Sequence, residues 1–128
     1  MKLTMIESPY ASADPAIVER NMAYLHDAIM DSFSRGESPF ASHGFYTRYL
    51  DDKDPEQRRL GISAGNDWAR KADLIAVYAD FGVTDGMKER IDLATDLGIK
   101  IEYRSCPEWR EAYEKNKRSG FARSRVQS

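Results

Sequence analysis

The 128-residue sequence has a single cysteine, Cys106, and only two histidines, His26 and His43. One cysteine excludes an intramolecular disulfide framework and a zinc knuckle. No apolar run approaches the roughly 20 residues of a membrane span, since the longest resemble Leu74 to Ala79. The opening Met-Lys-Leu-Thr-Met-Ile is cut by Glu7, which removes a signal-peptide core. Charge of one sign is lacking too. Nineteen Lys and Arg against 21 Asp and Glu leave a net charge of -2, which argues against nucleic acid or an anionic membrane as partner. No Gly-x-Gly-x-x-Gly follows the first apolar run, and no Walker-type lysine occurs, which argues against ordinary dinucleotide dehydrogenase and P-loop readings. There is no internal repeat and no low-complexity block. With 41% hydrophobic and 31% charged residues, the expectation is a soluble cytoplasmic protein with one core.

What is there is an alternation of strand and helix signals. Lys2 to Glu7 reads as a buried strand running into the loop Ser8-Pro9-Tyr10. Asp14-Pro15 is a cap with proline at the first helical position, and Val18, Met22, Leu25, Ile29 and Phe33 predict an amphipathic helix over 15–34 that Gly36 ends. Pro39 to His43 suggests a second short strand opening into a long loop. Asp54-Pro55 repeats the cap signal, with Leu60, Ala64, Trp68 and Ala72 as the stripe of a second helix. Asp73 to Asp80 is the clearest strand, apolar enough to be covered on both faces. Gly82 and Gly86 bracket a turn, Met87, Ile91, Ala94 and Leu97 mark a third helix, and Gly98 closes it. Ile99 to Arg104 alternates as an edge strand does. Ser105 and Glu108 are spaced as a capping box ahead of a last helix carrying Trp109 and Tyr113. Residues 1–116 are therefore expected to form one α/β, Rossmann-like (flavodoxin-like) domain, a short parallel sheet of about four strands flanked by helices. Residues 117–128, with Lys117, Arg118, Arg123 and Arg125, read as a basic, mobile, solvated tail.

In such sheets ligands bind beyond the carboxyl ends of the strands, where the strand order switches. Three loops are thereby singled out. Ser8, Pro9 and Tyr10 can meet a phosphate edge and stack on a base, or simply form a turn. Ser42 and His43, followed by Tyr46, Tyr49, Asp51 and Asp52, offer a general acid–base set or an incomplete metal site. The ligand count argues against a metal, because His26 falls inside the first helix. Asp80, Gly82, Asp85, Gly86 and Met87 surround a helix N-terminus suited to an anion, although Thr84 or Asp85 can equally serve as a plain helix cap. Cys106 has no activating base nearby in sequence and is expected to pack rather than react.

The segments Glu7-Ser-Pro-Tyr10, Trp68 to Asp73 and Thr84 to Ala94 resemble the nucleoside 2-deoxyribosyltransferase-like superfamily, which includes deoxynucleoside monophosphate N-glycosidases. Gly86 to Ile101, Pro39 to His43, Leu50 to Asp52 and Glu102 to Arg104 look closer to an uncharacterised branch found in phages and prophages. The resemblance covers about residues 2 to 104. It implies a nucleoside or nucleotide ligand, no added cofactor, and a homodimer or higher homo-oligomer. In the active families a helical glutamate attacks the anomeric carbon while an aspartate on the preceding helix orients or protonates the base. Aligned without gaps through Trp68 and Asp73, the aspartate position falls on Gly65. Anchored on Gly86 and Ala94, the glutamate position falls on Arg90. Asp67 is two residues from Gly65, a helical rotation of about 200°. Glu89 becomes the nucleophile only through a one-residue shift of about 100° that breaks the apolar stripe. Arg90, by contrast, can pair bidentately with a phosphate or carboxylate. The resemblance thus implies a nucleotide-binding pocket that holds its ligand without cutting it. The alternatives are an N-glycosidic enzyme using Glu89, Asp80 or His43, and an interaction module with a vestigial pocket.

Overall fold

The structure is a computed structural model, and residues 1–111 are described. The basic tail and Tyr113 lie outside the described residues. The chain runs β1 (Leu3–Glu7), α1 (Pro15–Ser34), β2 (Ser38–Phe40), α2 (Ser42–Phe45), a 3-10 turn at Tyr46–Arg48, α3 (Pro55–Ala69), β3 (Leu74–Tyr78), α4 (Asp85–Leu97), β4 (Lys100–Arg104) and a 3-10 turn at Pro107–Trp109. All pairings are parallel and the strand order is β2-β1-β3-β4. The expected Rossmann-like α/β architecture is present. From β1 the chain crosses outward to β2 and later returns to β3 on the other flank, so the topological switch lies between β1 and β3.

The helix boundaries follow local chemistry. The Asp14 and Asp54 side chains accept the backbone N–H groups of Ala16 and Glu56, and Pro15 and Pro55 sit where no N–H is needed. Thr84 caps α4 by accepting the N–H of Met87, and Gly98, at φ 70°, turns the chain out of that helix.

Side-chain alternation along the strands separates two core layers. Ile6, Ala76 and Tyr78 pack against Tyr24, Leu25 and Ala28 of α1. Met5, Ile75 and Val77 pack on the opposite face against Ala69 of α3 and Met87 and Ala94 of α4. Glu7, two residues after Met5, is therefore directed toward the α3/α4 face at the carboxyl end of β1. Leu74 to Tyr78 is buried throughout, as expected of a central strand. Among the described residues, no helix is long and apolar enough to cross a membrane.

Three local expectations are corrected. The second strand ends at Phe40, and Ser42 and His43 open the short helix α2 instead. The helix faces are rotated from the apolar stripes. In α1 the buried residues are Asn21, Tyr24, Leu25, Ala28 and Ser32, while Met22 and Phe33 are exposed. In α3 they are Gly65 and Ala69, with Leu60 and Trp68 exposed. Polar anchors set these faces: Asn21 donates to the Tyr10 carbonyl, Ser32 to Glu37, and Tyr24 to Asp80. Finally, the Ser105 hydroxyl donates to Asp80 rather than capping a helix, and Pro107–Trp109 forms a 3-10 turn, after which Arg110 and Glu111 are helical and the rest of the expected helix lies outside the described residues.

On the charged side of the edge strand β4, Lys100 is exposed but Arg104 is buried. Arg104 donates to both Glu37 carboxylate oxygens, at 2.8 and 2.6 Å, and to the Tyr78 hydroxyl at 3.1 Å. This buried fork ties β4 to the chain segment that enters β2.

Candidate functional site

A cavity of about 140 Å³, open on one side, lies at the β1/β3 switch. Glu7, Ser8 and Tyr10 come from the end of β1, Ser42, His43 and Tyr46 from α2 and the turn after it. Helix α3 adds Gly61, Ile62 and Asn66, and the first turns of α4 add Gly86, Met87, Glu89 and Arg90. A larger, shallower cleft adjoins it and shares Tyr10, Thr47, Leu50, Asp52 and Arg58 with it.

The buried wall is an ion pair. Arg90 Nη1 lies 3.5 Å from Glu7 Oε2, and each side chain is only 8% exposed. Neither of these two atoms has a hydrogen-bond partner. Burial pushes the Glu7 carboxyl up to about 7, against the opposing pull of the Arg90 charge. The guanidinium can sit here because Gly65 has no side chain. A β-carbon at Gly65 would stand 2.7 Å from Arg90 Nη2 and 2.7 Å from Ser42 Oγ. Gly65 and Arg90, on the consecutive helices α3 and α4, therefore abut in space.

His43 Nε2 and Ser8 Oγ are 2.8 Å apart, and the Tyr10 ring meets the His43 ring edge-on with centroids 6.4 Å apart. Burial, and secondarily the charge of Arg90, pushes the His43 pKa down to about 4. The imidazole is thus neutral at pH 7. Becoming an imidazolium during a reaction would place a second cation beside Arg90. In the resting protein His43 is thus a neutral hydrogen-bonding partner of Ser8.

The expected site residues divide. Ser8, Tyr10, Ser42, His43, Gly86, Met87, Glu89 and Arg90 line the cavity. Pro9, Asp80, Gly82 and Asp85 do not. Asp80 is fully buried on the α1 side, where its carboxylate accepts from the Tyr24 hydroxyl, the Ser105 hydroxyl and the Cys106 N–H. It is a structural anchor, because those donors hold the loop after β4 onto the end of β3. Gly82, at φ 84°, lines a separate hollow with Arg104 and Ser105. Asp85 is exposed in the first turn of α4, and Thr84 is the cap. Cys106 is buried in the α1 layer, and its thiol is pushed up by burial and by Asp80.

Sequence reasoning missed Glu7 and the whole α3 wall. Glu7 reads as the end of an apolar run and the start of the Glu7-Ser-Pro-Tyr10 segment, while its parity with Met5 is the signal that it faces α3 and α4. The α3 residues were hidden because the Leu60–Trp68 stripe suggested a different face. Among the described residues, no three His, Cys, Asp or Glu side chains gather as a metal site.

No curated protein and no solved structure matches the chain. One family model does, over residues 2–104, and it spans every residue of the cavity. The chain accordingly belongs to the family described as Domain of unknown function (DUF7768).

Proposed function

We propose that the protein binds a nucleotide or nucleotide derivative in the cavity between β1 and β3 and holds it without breaking its glycosidic bond. The observation that carries this reading is the contact between Arg90 and Gly65. By the deoxyribosyltransferase-like resemblance, these positions would hold the nucleophilic glutamate and the base-orienting aspartate. Here a guanidinium fills the space between them, so the pocket keeps its place in the fold while its attacking group is replaced by a cation. In an infected cell a phage-encoded protein of this kind would sequester a signalling nucleotide or serve nucleotide metabolism in the cytoplasm. Self-association belongs to the same proposal, because Phe45, Tyr49 and Trp68 are exposed on α2, the turn after it and α3, beside the cavity.

A second reading is favoured by one observation. Glu7 lines the cavity with its carboxyl pushed up to about 7, the range in which a general acid works near neutral pH. Glu89 lines the same cavity, so an N-glycosidic enzyme with Glu7 as acid and Glu89 as nucleophile is the alternative.

Native mass spectrometry of the protein as purified, and after mixing with deoxynucleoside monophosphates and NAD-derived nucleotides, tests the binding reading. Added masses equal to intact nucleotides, absent in Arg90→Ala, are expected. Adducts of sugar phosphate alone would favour the enzyme instead.

A further inference from the structure

We infer that the enclosed end of the cavity takes the neutral end of the ligand, a single ring presenting a hydrogen-bond donor beside an acceptor, and that any phosphate lies outside it. This rests on the nucleotide reading above and specifies which part of such a ligand enters first.

Size is the first argument. The cavity, about 140 Å³ and open on one side, has room for one benzene-sized ring and adjoins a larger cleft. A nucleobase or a furanose fits, with the remainder of the ligand directed toward the adjoining cleft.

Charge is the second. Arg90 alone would suit a phosphate, as its sequence position suggested, but the folded chain supplies its own carboxylate opposite that guanidinium. Glu7 stands 3.5 Å away, and Asp52 and Glu89 line the same cavity. Ionised, these three carboxylates face two guanidiniums, Arg58 and Arg90, while His43 carries no charge at neutral pH. An anion driven against Arg90 would meet the ionised, largely buried Glu7 carboxylate beside it, and like charges repel. The enclosed end is therefore a poor phosphate seat.

Hydrogen bonding is the third. Buried polar atoms are nearly always satisfied, and each orphan costs about 1–3 kcal/mol. Glu7 Oε2 and Arg90 Nη1 are both orphans, one requiring a donor and the other an acceptor. A ring edge with N–H next to C=O, or next to a ring nitrogen, offers that complement to two atoms 3.5 Å apart once a small side-chain shift exposes them to the cavity. Two adjacent sugar hydroxyls offer it as well. Ser8 and Ser42, both buried in the wall, can bind either kind of edge.

The test is competition at pH 8, where Glu7 is ionised, using a nucleoside monophosphate that binds the wild-type protein. Hypoxanthine, 1-methylhypoxanthine, ribose and inorganic phosphate serve as competitors. Competition by hypoxanthine, weakened at least tenfold by the methyl group that removes its N–H, assigns the site to a base edge. Competition by ribose alone assigns it to sugar hydroxyls. Both outcomes support the inference. Displacement by inorganic phosphate but by neither ring would overturn it and leave the nucleotide reading standing. Failure of every nucleotide to bind removes both. As a check from the protein side, Glu7→Gln should weaken nucleoside and nucleotide by the same factor, at least tenfold. A loss confined to the phosphorylated ligand would contradict the assignment, and the comparison of competitors on the wild-type protein holds even if this variant folds poorly.

Discussion

Arg90 Nη2 lies 2.7 Å from the point where a side chain on Gly65 would begin, so the guanidinium occupies space that only a glycine leaves open. This makes Gly65→Ala informative. Alanine improves the helix by about 1 kcal/mol, while crowding costs about 1–3 kcal/mol if the neighbours cannot move. The nearest atoms are the far end of Arg90 and the Ser42 hydroxyl, both able to rotate. Urea unfolding should therefore find stability within about 2 kcal/mol of the parent. Nucleotide affinity should fall at least tenfold, because Arg90 and Ser42 are both displaced from the cavity wall. Unchanged affinity would show that neither group touches the ligand.

Glu7 and His43 predict opposing responses to pH. The Glu7 carboxyl titrates near 7 in the folded protein and near 4.5 when unfolded, so the folded state holds the extra proton between those values. Its contribution to stability is present at low pH and is lost as pH rises from 4.5 to 7, by up to about 3 kcal/mol. His43 titrates near 4 folded and 6.5 unfolded, so there the unfolded state holds the extra proton and stability falls as pH drops from 6.5 to 4. From these two groups the wild-type protein should be nearly flat between pH 4.5 and 6.5. Glu7→Gln should lose stability on acidification across that range, and His43→Gln should gain it. Denaturation midpoints at a series of pH values check both signs, and parallel curves for the two variants would contradict the assignment.

The Arg104–Glu37 pair supplies a structural contrast. Arg104 is 2% exposed and makes two hydrogen bonds to Glu37, far from the cavity lining. Arg104→Met should cost about 3 kcal/mol, because the Glu37 carboxylate loses its cation and keeps the Ser32 hydroxyl as donor. Ligand affinity, measured below the unfolding transition, should not change. A matching loss of affinity would mean that the β4 side is coupled to the site.

Glu89 distinguishes holding from cutting. Glu89→Gln should bind nucleotide within about threefold of wild type, because the residue is an exposed part of the rim. Base release that is present in the wild type and abolished by this change would establish the glycosidic reading.

The helix limits were legible because caps are local chemistry: Asp14-Pro15, Asp54-Pro55 and Gly98 state where helices begin and end. The parallel sheet needed only the alternation of elements, whereas the order β2-β1-β3-β4 is set by tertiary packing that the alternation does not encode. Helix faces were less legible, because apolar counting passes over buried Asn21, Ser32, Gly65 and Arg90, which turn inward for hydrogen bonds or for the site. Asp80 misled for a related reason. Its place at a strand end is where ligand groups occur, but the side chain turns to the α1 face and satisfies the loop after β4. Glu7 escaped notice because its partner, Arg90, is 83 positions away, and nothing local signals the pair.

The central claim, that a nucleotide is held and not cleaved, is tested most directly by calorimetric titration with a deoxynucleoside monophosphate panel, followed by chromatography of the cell contents. The account predicts saturable heat for at least one member and recovery of that nucleotide intact, with the heat lost in Arg90→Ala. Free base in the recovered sample, or no heat from any member of the panel, would contradict it.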